Sequence, residues 1–239
     1  MSINLAQKAA YIGGPSQNSS MTLNFPNAMT PGSILLCMVF FTNPPTYSIT
    51  NVSDANGNWT PLTQYNSTAG SAIGVQIWWK ANSSSGVSNT VTVTGSWPNG
   101  SGNAGFFIAE WTGVSKVNAS GGGAAPSSTN AWTCPPSSNL SITPGDLVVA
   151  VWGDFTGTGA STQVDGWTLQ ASNTTWVGAW VSQVINGSSA QAEVTGPATN
   201  ADWSGAIVSL SPPSIMISET VSSYGSEDFT HFGNVIGGG

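Results

Sequence analysis

A stretch near residue 30 returns, altered, near residue 143. Thr30-Pro31-Gly32-Ser33-Ile34-Leu35-Leu36-Cys37-Met38-Val39-Phe40 is echoed by Thr143-Pro144-Gly145-Asp146-Leu147-Val148-Val149-Ala150-Val151-Trp152. Gly57-Asn58-Trp59-Thr60 returns as Asp165-Gly166-Trp167-Thr168, and Val93-Thr94-Gly95 as Val194-Thr195-Gly196. Ala104-Gly105-Phe106-Phe107-Ile108 returns as Ser204-Gly205-Ala206-Ile207-Val208, so the offset falls from 113 to about 100 residues. A duplicated unit of about 100 residues, rich in strand and turn signals, predicts two small β-sandwiches rather than one large domain.

The chain is punctuated by Gly, Pro or Asn every 8 to 12 residues, and no segment holds a helical period for three turns. That pattern predicts short antiparallel strands. In the first unit they fall near 3–11, 20–25, 33–41, 47–53, 59–65, 73–81, 89–95 and 104–112. Eight strands in this length suit a jelly roll. Val75, Ile77 and Trp79 take one face of their strand, while Gln76, Trp78 and Lys80 take the other. In the second unit the strands fall near 129–133, 138–142, 146–155, 161–164, 167–173, 176–185, 190–195 and 203–210.

The expected fold is all-β: two tandem jelly-roll-like antiparallel sandwiches, residues 1–114 and 115–214, with a C-terminal extended arm, residues 215–239. The glycine-rich stretch at about 121–128 reads as a flexible linker. The arm holds one amphipathic piece, Ile215 to Val221, and Phe229. Ile215, Ile217, Val221 and Phe229 are candidates for pairing with a neighbouring subunit; folding back on the parent domain is the alternative.

Charge narrows the function. Lys8, Lys80 and Lys116 are the only cations against ten Asp and Glu, a net charge of −7. Without a basic patch, nucleic-acid phosphates and anionic lipid have no electrostatic handle. Charged residues make up 5% of the chain against roughly 25% in ordinary soluble domains. A surface of amides and hydroxyls lacks the repulsion that keeps β proteins apart, which favours ordered self-association. Met1 to Lys8 has no apolar h-region, so it does not read as a secretory signal. No apolar run approaches the ~18 residues of a membrane span.

Candidate chemistry is sparse. No G-x-S-x-G, H-E-x-x-H or phosphate-loop motif occurs, and the lone His231 sits in the tail. No catalytic residue, cofactor or metal is expected. Asp54-Ala55-Asn56-Gly57-Asn58 resembles part of a calcium loop, but its glycine is misplaced and a turn is the better reading. Cys37 in a strand and Cys134 in a loop are read as free thiols, with a disulfide as the alternative.

In the repeat alignment Glu110 falls opposite Leu210 and Lys80 near Val184. Two ionisable groups would then occupy apolar positions of the sister unit, which suggests a buried Lys80–Glu110 pair. The competing reading has Lys80 reaching outward and Glu110 at a strand end. Trp59 and Trp167 hold equivalent positions and read as core. Trp78, Trp97, Trp132, Trp176 and Trp203 lie beside polar or turn residues near expected edges. They could anchor a subunit interface, pack within the chain, or stack on sugar rings.

The motif order resembles a family of β-sandwich repeats found in bacteriophage virion proteins and bacterial surface proteins. The residues carrying the likeness are Pro31-Gly32-Ser33-Ile34-Leu35-Leu36, Asp54-Ala55-Asn56-Gly57-Asn58-Trp59-Thr60, Trp78-Trp79-Lys80-Ala81, Thr90-Val91-Thr92-Val93-Thr94 and Glu110-Trp111-Thr112-Gly113-Val114. It covers residues 30–115 well and 143–210 loosely. The second unit lacks the Asn-Gly-Asn turn and the Glu-Trp close. The resemblance implies a virion or extracellular setting, supplies no catalytic residues, and makes Glu110 a core residue. The expectation is a non-enzymatic structural protein of a phage-like virion, made in the host cytoplasm and partnered by itself and other virion proteins. A glycan-binding module or receptor-binding spike recognising host-surface glycan, and a secreted surface-filament subunit, are the alternatives.

Overall fold

The computed structural model describes residues 2–12, 20–42, 44, 46–67, 72–82, 89–96, 104–125, 131–154, 161–172, 178–196 and 202–214. Every regular element among them is a β-strand, and every registered pair is antiparallel.

The first repeat supplies β1 (Asn4–Ile12), β2 (Ser20–Asn24), β3 (Ile34–Thr42), β4 (Ile49–Asp54), β5 (Gly57–Asn58), β6 (Thr60–Pro61), β7 (Tyr65–Asn66), β8 (Ile73–Ala81), β9 (Thr90–Gly95) and β10 (Ala104–Thr112). Its large sheet runs β1-β10-β3-β8-β6, with β7 also on β8, and its small sheet runs β2-β9-β4-β5. The second repeat supplies β11 (Lys116–Ala125), β12 (Ala131–Cys134), β13 (Leu140–Ser141), β14 (Asp146–Asp154), β15 (Thr162–Gln163), β16 (Thr168–Ser172), β17 (Gly178–Ile185), β18 (Ser189–Ala190), β19 (Ala192–Thr195) and β20 (Trp203–Ser211). Its large sheet runs β11-β20-β14-β17-β16; β12-β19-β15 and the pair β13-β18 make smaller sheets. The large sheets match strand for strand, and a register shift recurs in each first strand, between Leu5 and Gln7 and between Val117 and Ala119.

The sheets stack in layers because the central strands are apolar on both faces. All nine residues of β3, β14 and β20 are buried. An antiparallel sheet with one wet face alternates apolar and polar residues; an unbroken run such as Ile34-Leu35-Leu36-Cys37-Met38-Val39-Phe40-Phe41 requires cover on both sides. Leu35, Cys37, Val39 and Phe41 pack inward against Val52, Val91 and Val93 of the small sheet. Ile34, Leu36, Met38 and Phe40 pack outward against the other repeat, with Leu147, Val149 and Val151. Val148, Ala150 and Trp152 then form the inner core of the second repeat with Trp132, Trp167 and Val194.

The contact between repeats is arranged like a twofold axis. Phe107 on β10 meets Trp180 on β17, with ring centroids 6.4 Å apart, and β8 lies against β20 in the reciprocal way. At one edge Lys8 of β1 donates to the Gln170 carbonyl of β16 and lies 5.9 Å from the Trp180 ring centroid. At the opposite edge Ser204 Oγ donates to the Tyr65 carbonyl at 2.8 Å. The same patch on each repeat thus faces its counterpart, the geometry of an isologous dimer within one chain. At the centre the symmetry is broken by size. The register of β3 and β14 makes Phe40 the counterpart of Gly153, and a Cβ on Gly153 would lie 3.0 Å from the Phe40 Cβ. The Phe40 ring is also wedged between Gly105 and Gly178, where a Cβ would come within 2.5 Å of it on either side.

Two expectations are corrected here. The glycine run is not a linker through its first half: Gly121 to Ala125 belong to β11, paired along its length with β20. Glycine is needed because the Tyr65 ring and the Gly205 carbonyl crowd Gly122 and because Pro136 lies 2.7 Å from where a Cβ of Gly123 would be. Residues 126–128 lie outside the described residues. The single strand expected at 59–65 is two short pieces, β6 and β7, both pairing with β8.

Candidate functional site

Three of the described carboxylates, Asp54, Glu110 and Asp146, each tie a separate knot of hydrogen bonds near a turn or strand end. Asp54 closes β4. Its Oδ1 accepts from Lys80 Nζ at 2.6 Å and from the Asn56 amide at 2.7 Å. Its Oδ2 accepts from Trp59 Nε1 at 3.0 Å and Asn89 Nδ2 at 2.7 Å. One side chain therefore ties the Asn56-Gly57 turn to the core tryptophan and to the neighbouring sheet. Burial raises the Asp54 pKa, but the Lys80 ammonium and the three further donors outweigh it and hold the carboxyl below its usual value.

Glu110 is fully buried on β10. Its oxygens accept from the Thr30 amide at 2.5 Å, Ser33 Oγ at 2.8 Å and Gln7 Nε2 at 2.5 Å. It clamps the Thr30-Pro31-Gly32-Ser33 turn, in which Gly32 takes a φ of 76° and the Ser33 amide donates to the Thr30 carbonyl. The second repeat builds the same turn, with Gly145 at 92° and the Asp146 amide on the Thr143 carbonyl. There the carboxylate comes from the turn itself. Asp146, also fully buried, accepts from the Thr143 amide at 3.2 Å, Asn118 Nδ2 at 2.7 Å and Ser211 Oγ at 2.8 Å. The acid has moved between strands while its task, satisfying the turn's buried donors, is kept. Asp146 lies at the base of a shallow groove that also takes in Lys116, Pro144 and Pro212 to Ser214.

The Lys80–Glu110 pair does not form. Leu35 stands between them, paired with Lys80 on one side and Glu110 on the other, and each polar group is taken by a different partner. The strand registers shift the correspondence between the repeats by one residue. Register with the central strand makes Ser209 the counterpart of Glu110 and Gln183 that of Lys80. Both counterparts are polar, and Gln183 reaches toward Gly166 as Lys80 reaches toward Gly57. Asp54, Gln7 and Asp146 were the residues sequence reasoning missed as clamps. Ser33 opposite Asp146 in the repeat was the signal that a carboxylate belongs at this turn.

Trp132 and Trp203 are core aromatics. They are 1% and 3% exposed and stack on each other in the second core, centroids 6.4 Å apart. Neither can meet a sugar or a neighbouring subunit. Trp78 is likewise buried, against the first small sheet. Trp97 and Trp176, and Ile215, Ile217, Val221 and Phe229, lie outside the described residues. Cys37 and Cys134 are free and buried, and burial pushes both thiols up; Cys134 ends β12 and is not a loop residue. Among the described residues no three His, Cys, Asp or Glu side chains converge to hold a metal.

The outer face of the β2-β9-β4-β5 sheet has its own character. One cross-strand row reads Ser20, Thr94 and Asn51, and the next reads Thr22, Thr92, Ser53 and Asn58. The groups bond laterally, Thr90 Oγ1 to Asn24 Oδ1 at 2.7 Å and Asn51 Nδ2 to Asn58 Oδ1 at 3.1 Å. Neither row carries a charge.

Asp54 predicts an acid-sensitive contribution. The native state binds its proton less readily than the unfolded chain. The stabilisation is complete above the ordinary carboxylate value of about 4 and is lost as pH falls through the lower native value. Asp54→Asn is expected to lower stability by about 2 kcal/mol at pH 7 and to flatten the fall in unfolding midpoint below pH 4. Equal acid slopes in variant and parent would contradict this.

Compared with protein-family models, characterised proteins and solved structures, the chain matches none.

Proposed function

We propose that this chain is a non-enzymatic structural component of a phage-like virion, serving as a coat, decoration, spike or tail subunit that assembles with copies of itself and with other virion proteins. The observation that carries the proposal is the pairing of a doubly covered, all-β scaffold with an uncharged outer face of threonine, serine and asparagine rows. Such a face buries against another neutral β surface without stranding a charge. The stacked cores beneath hold its shape, and a rigid surface loses little entropy on docking.

Each repeat is read as a jelly-roll-like sandwich. The supporting feature is the strand order, β1-β10-β3-β8 facing β2-β9-β4-β5 and β11-β20-β14-β17 facing β12-β19-β15. The repeats are read as units of 1–114 and 115–214, and the motif resemblance to virion repeats over residues 30–115 points the same way. The glycan-binding alternative has lost Trp132 and Trp203 to the core, and nothing else among the described residues favours it.

The test is negative-stain electron microscopy of the concentrated, purified chain. Rings, filaments or regular particles are expected, and a field of dispersed single molecules would count against the proposal.

A further inference from the structure

We propose that residues 215–221 of one copy add as an antiparallel strand to the outer edge of β11 in a second copy. This rests on the assembly reading above and names the contact that would carry it. β11 is the last strand of its sheet: β20 covers one side, and no strand among the described residues covers the other. At ten residues it is long for an edge, and it carries neither proline nor any charge after Lys116. Proteins ordinarily blunt such an edge with charge, proline, a bulge or a covering element; here Lys116 and the irregularity between Val117 and Ala119 are confined to the start of β11, and Ala119 to Ala125 is left as a template for an added strand.

The candidate occupant leaves the fold beside this edge. β20 ends at Ser211, whose carbonyl accepts from the Ser115 amide at 2.8 Å, next to the start of β11. Pro212, Pro213 and Ser214 then line the groove beside Lys116. From that exit 25 residues remain, opening with Ile215-Met216-Ile217-Ser218-Glu219-Thr220-Val221. This stretch is rich in β-branched residues, and a strand period puts Ile215, Ile217, Glu219 and Val221 on one face and Met216, Ser218 and Thr220 on the other.

Direction decides between its own edge and a neighbour's. A strand starting at the Lys116 end and running along its own β11 would lie parallel to it. Every registered pair here is antiparallel, so an arm laid on its own β11 would be the one parallel neighbour among them. Two consecutive prolines also favour an extended exit over a tight reversal. A second copy's edge can be approached in the antiparallel sense. Charge agrees, since the tail carries Glu219, Glu227 and Asp228, while the exposed Lys116 side chain makes no ion pair among the described residues.

The test uses the full chain. Molar mass in solution is compared for the parent and for Ile217→Pro, which removes a strand donor. In parallel, Ser120→Cys protein is mixed with chains bearing Met216→Cys, Ser218→Cys or Thr220→Cys and oxidised mildly, and the same pairs are placed on one chain. The expected results are a multimeric parent, at least a tenfold loss of multimer in Ile217→Pro, and disulfides joining position 120 of one chain to the arm of another. A multimeric parent that Ile217→Pro leaves intact would overturn the edge contact while leaving assembly standing. Disulfides formed only within one chain would overturn it in favour of folding back. A parent monomeric at every concentration would take both proposals down.

Discussion

Gly178→Val is expected to destabilise the protein by about 3 kcal/mol, the range for overpacking a filled core. A Cβ at this position would come within 2.5 Å of the Phe40 ring, and Gly105 closes the other side, so the ring cannot swing away. Gly178 and Phe40 belong to different repeats, so the cost reads out the contact between repeats directly. Phe40→Ala, which empties the same space, should cost about 3–5 kcal/mol. Combined in one chain, the two should be less harmful than their sum by at least about 1 kcal/mol, because the valine occupies volume the ring has left. Urea unfolding followed by tryptophan fluorescence is a suitable measurement, since Trp180 lies in the same core. Strict additivity would mean that the two residues do not meet.

Glu110→Leu should be comparably damaging. The substitution suits the apolar neighbourhood, yet it strands the Thr30 amide and Ser33 Oγ and leaves Gln7 Nε2 with only the Asn27 carbonyl of its two acceptors. Each buried donor left unmade costs about 1–3 kcal/mol, and part of the loss is recovered by the leucine's own burial. A net loss of about 3 kcal/mol is expected in the urea midpoint, with the slope unchanged. Lys80→Met should leave Glu110 untouched and cost less, because Asp54 keeps three other donors. A neutral or stabilising Glu110→Leu would contradict the clamp.

The strands were legible because alternation and punctuation are local. Val75, Ile77 and Trp79 do pack on one side of β8, toward the other repeat, and Trp78 on the other. The double burial of β3 was also written in its unbroken apolar run. Nothing in that run said that the covering layer would be the second repeat. The one-residue shift between the repeats has a physical origin. Matching Gly105 to Gly205 assumed a common role, but Gly105 makes room for Phe40 on the face between repeats, whereas Gly205 makes room for Trp152 in the inner core. Two glycines serving opposite faces cannot be equivalent.

Composition misled at two places for a similar reason. Gly121 to Gly123 resemble a linker because close approach by Tyr65 and Pro136 demands the same residue that flexibility does. Trp132 has polar neighbours because alternate residues of its half-buried strand face outward; Trp203 has them because the far face of β20 is covered by the other repeat, where Ser204 bonds the Tyr65 carbonyl. The carboxylate clamps were hidden because their partners lie far apart in sequence. Gln7, Thr30, Ser33 and Glu110 span about a hundred residues and meet only through sheet register.

The proposed function rests on self-assembly of the chain. The most direct test is the molar mass of the full-length protein by light scattering on a sizing column, across a hundredfold range of concentration. A discrete multiple of the 24.4 kDa chain mass, growing with concentration and persisting in high salt, is the expected result. Salt resistance follows because neutral faces and strand-edge hydrogen bonds would supply most of the contact, and the attraction between Lys116 and the acidic tail only a small share. A species of 24.4 kDa at every concentration would contradict self-assembly.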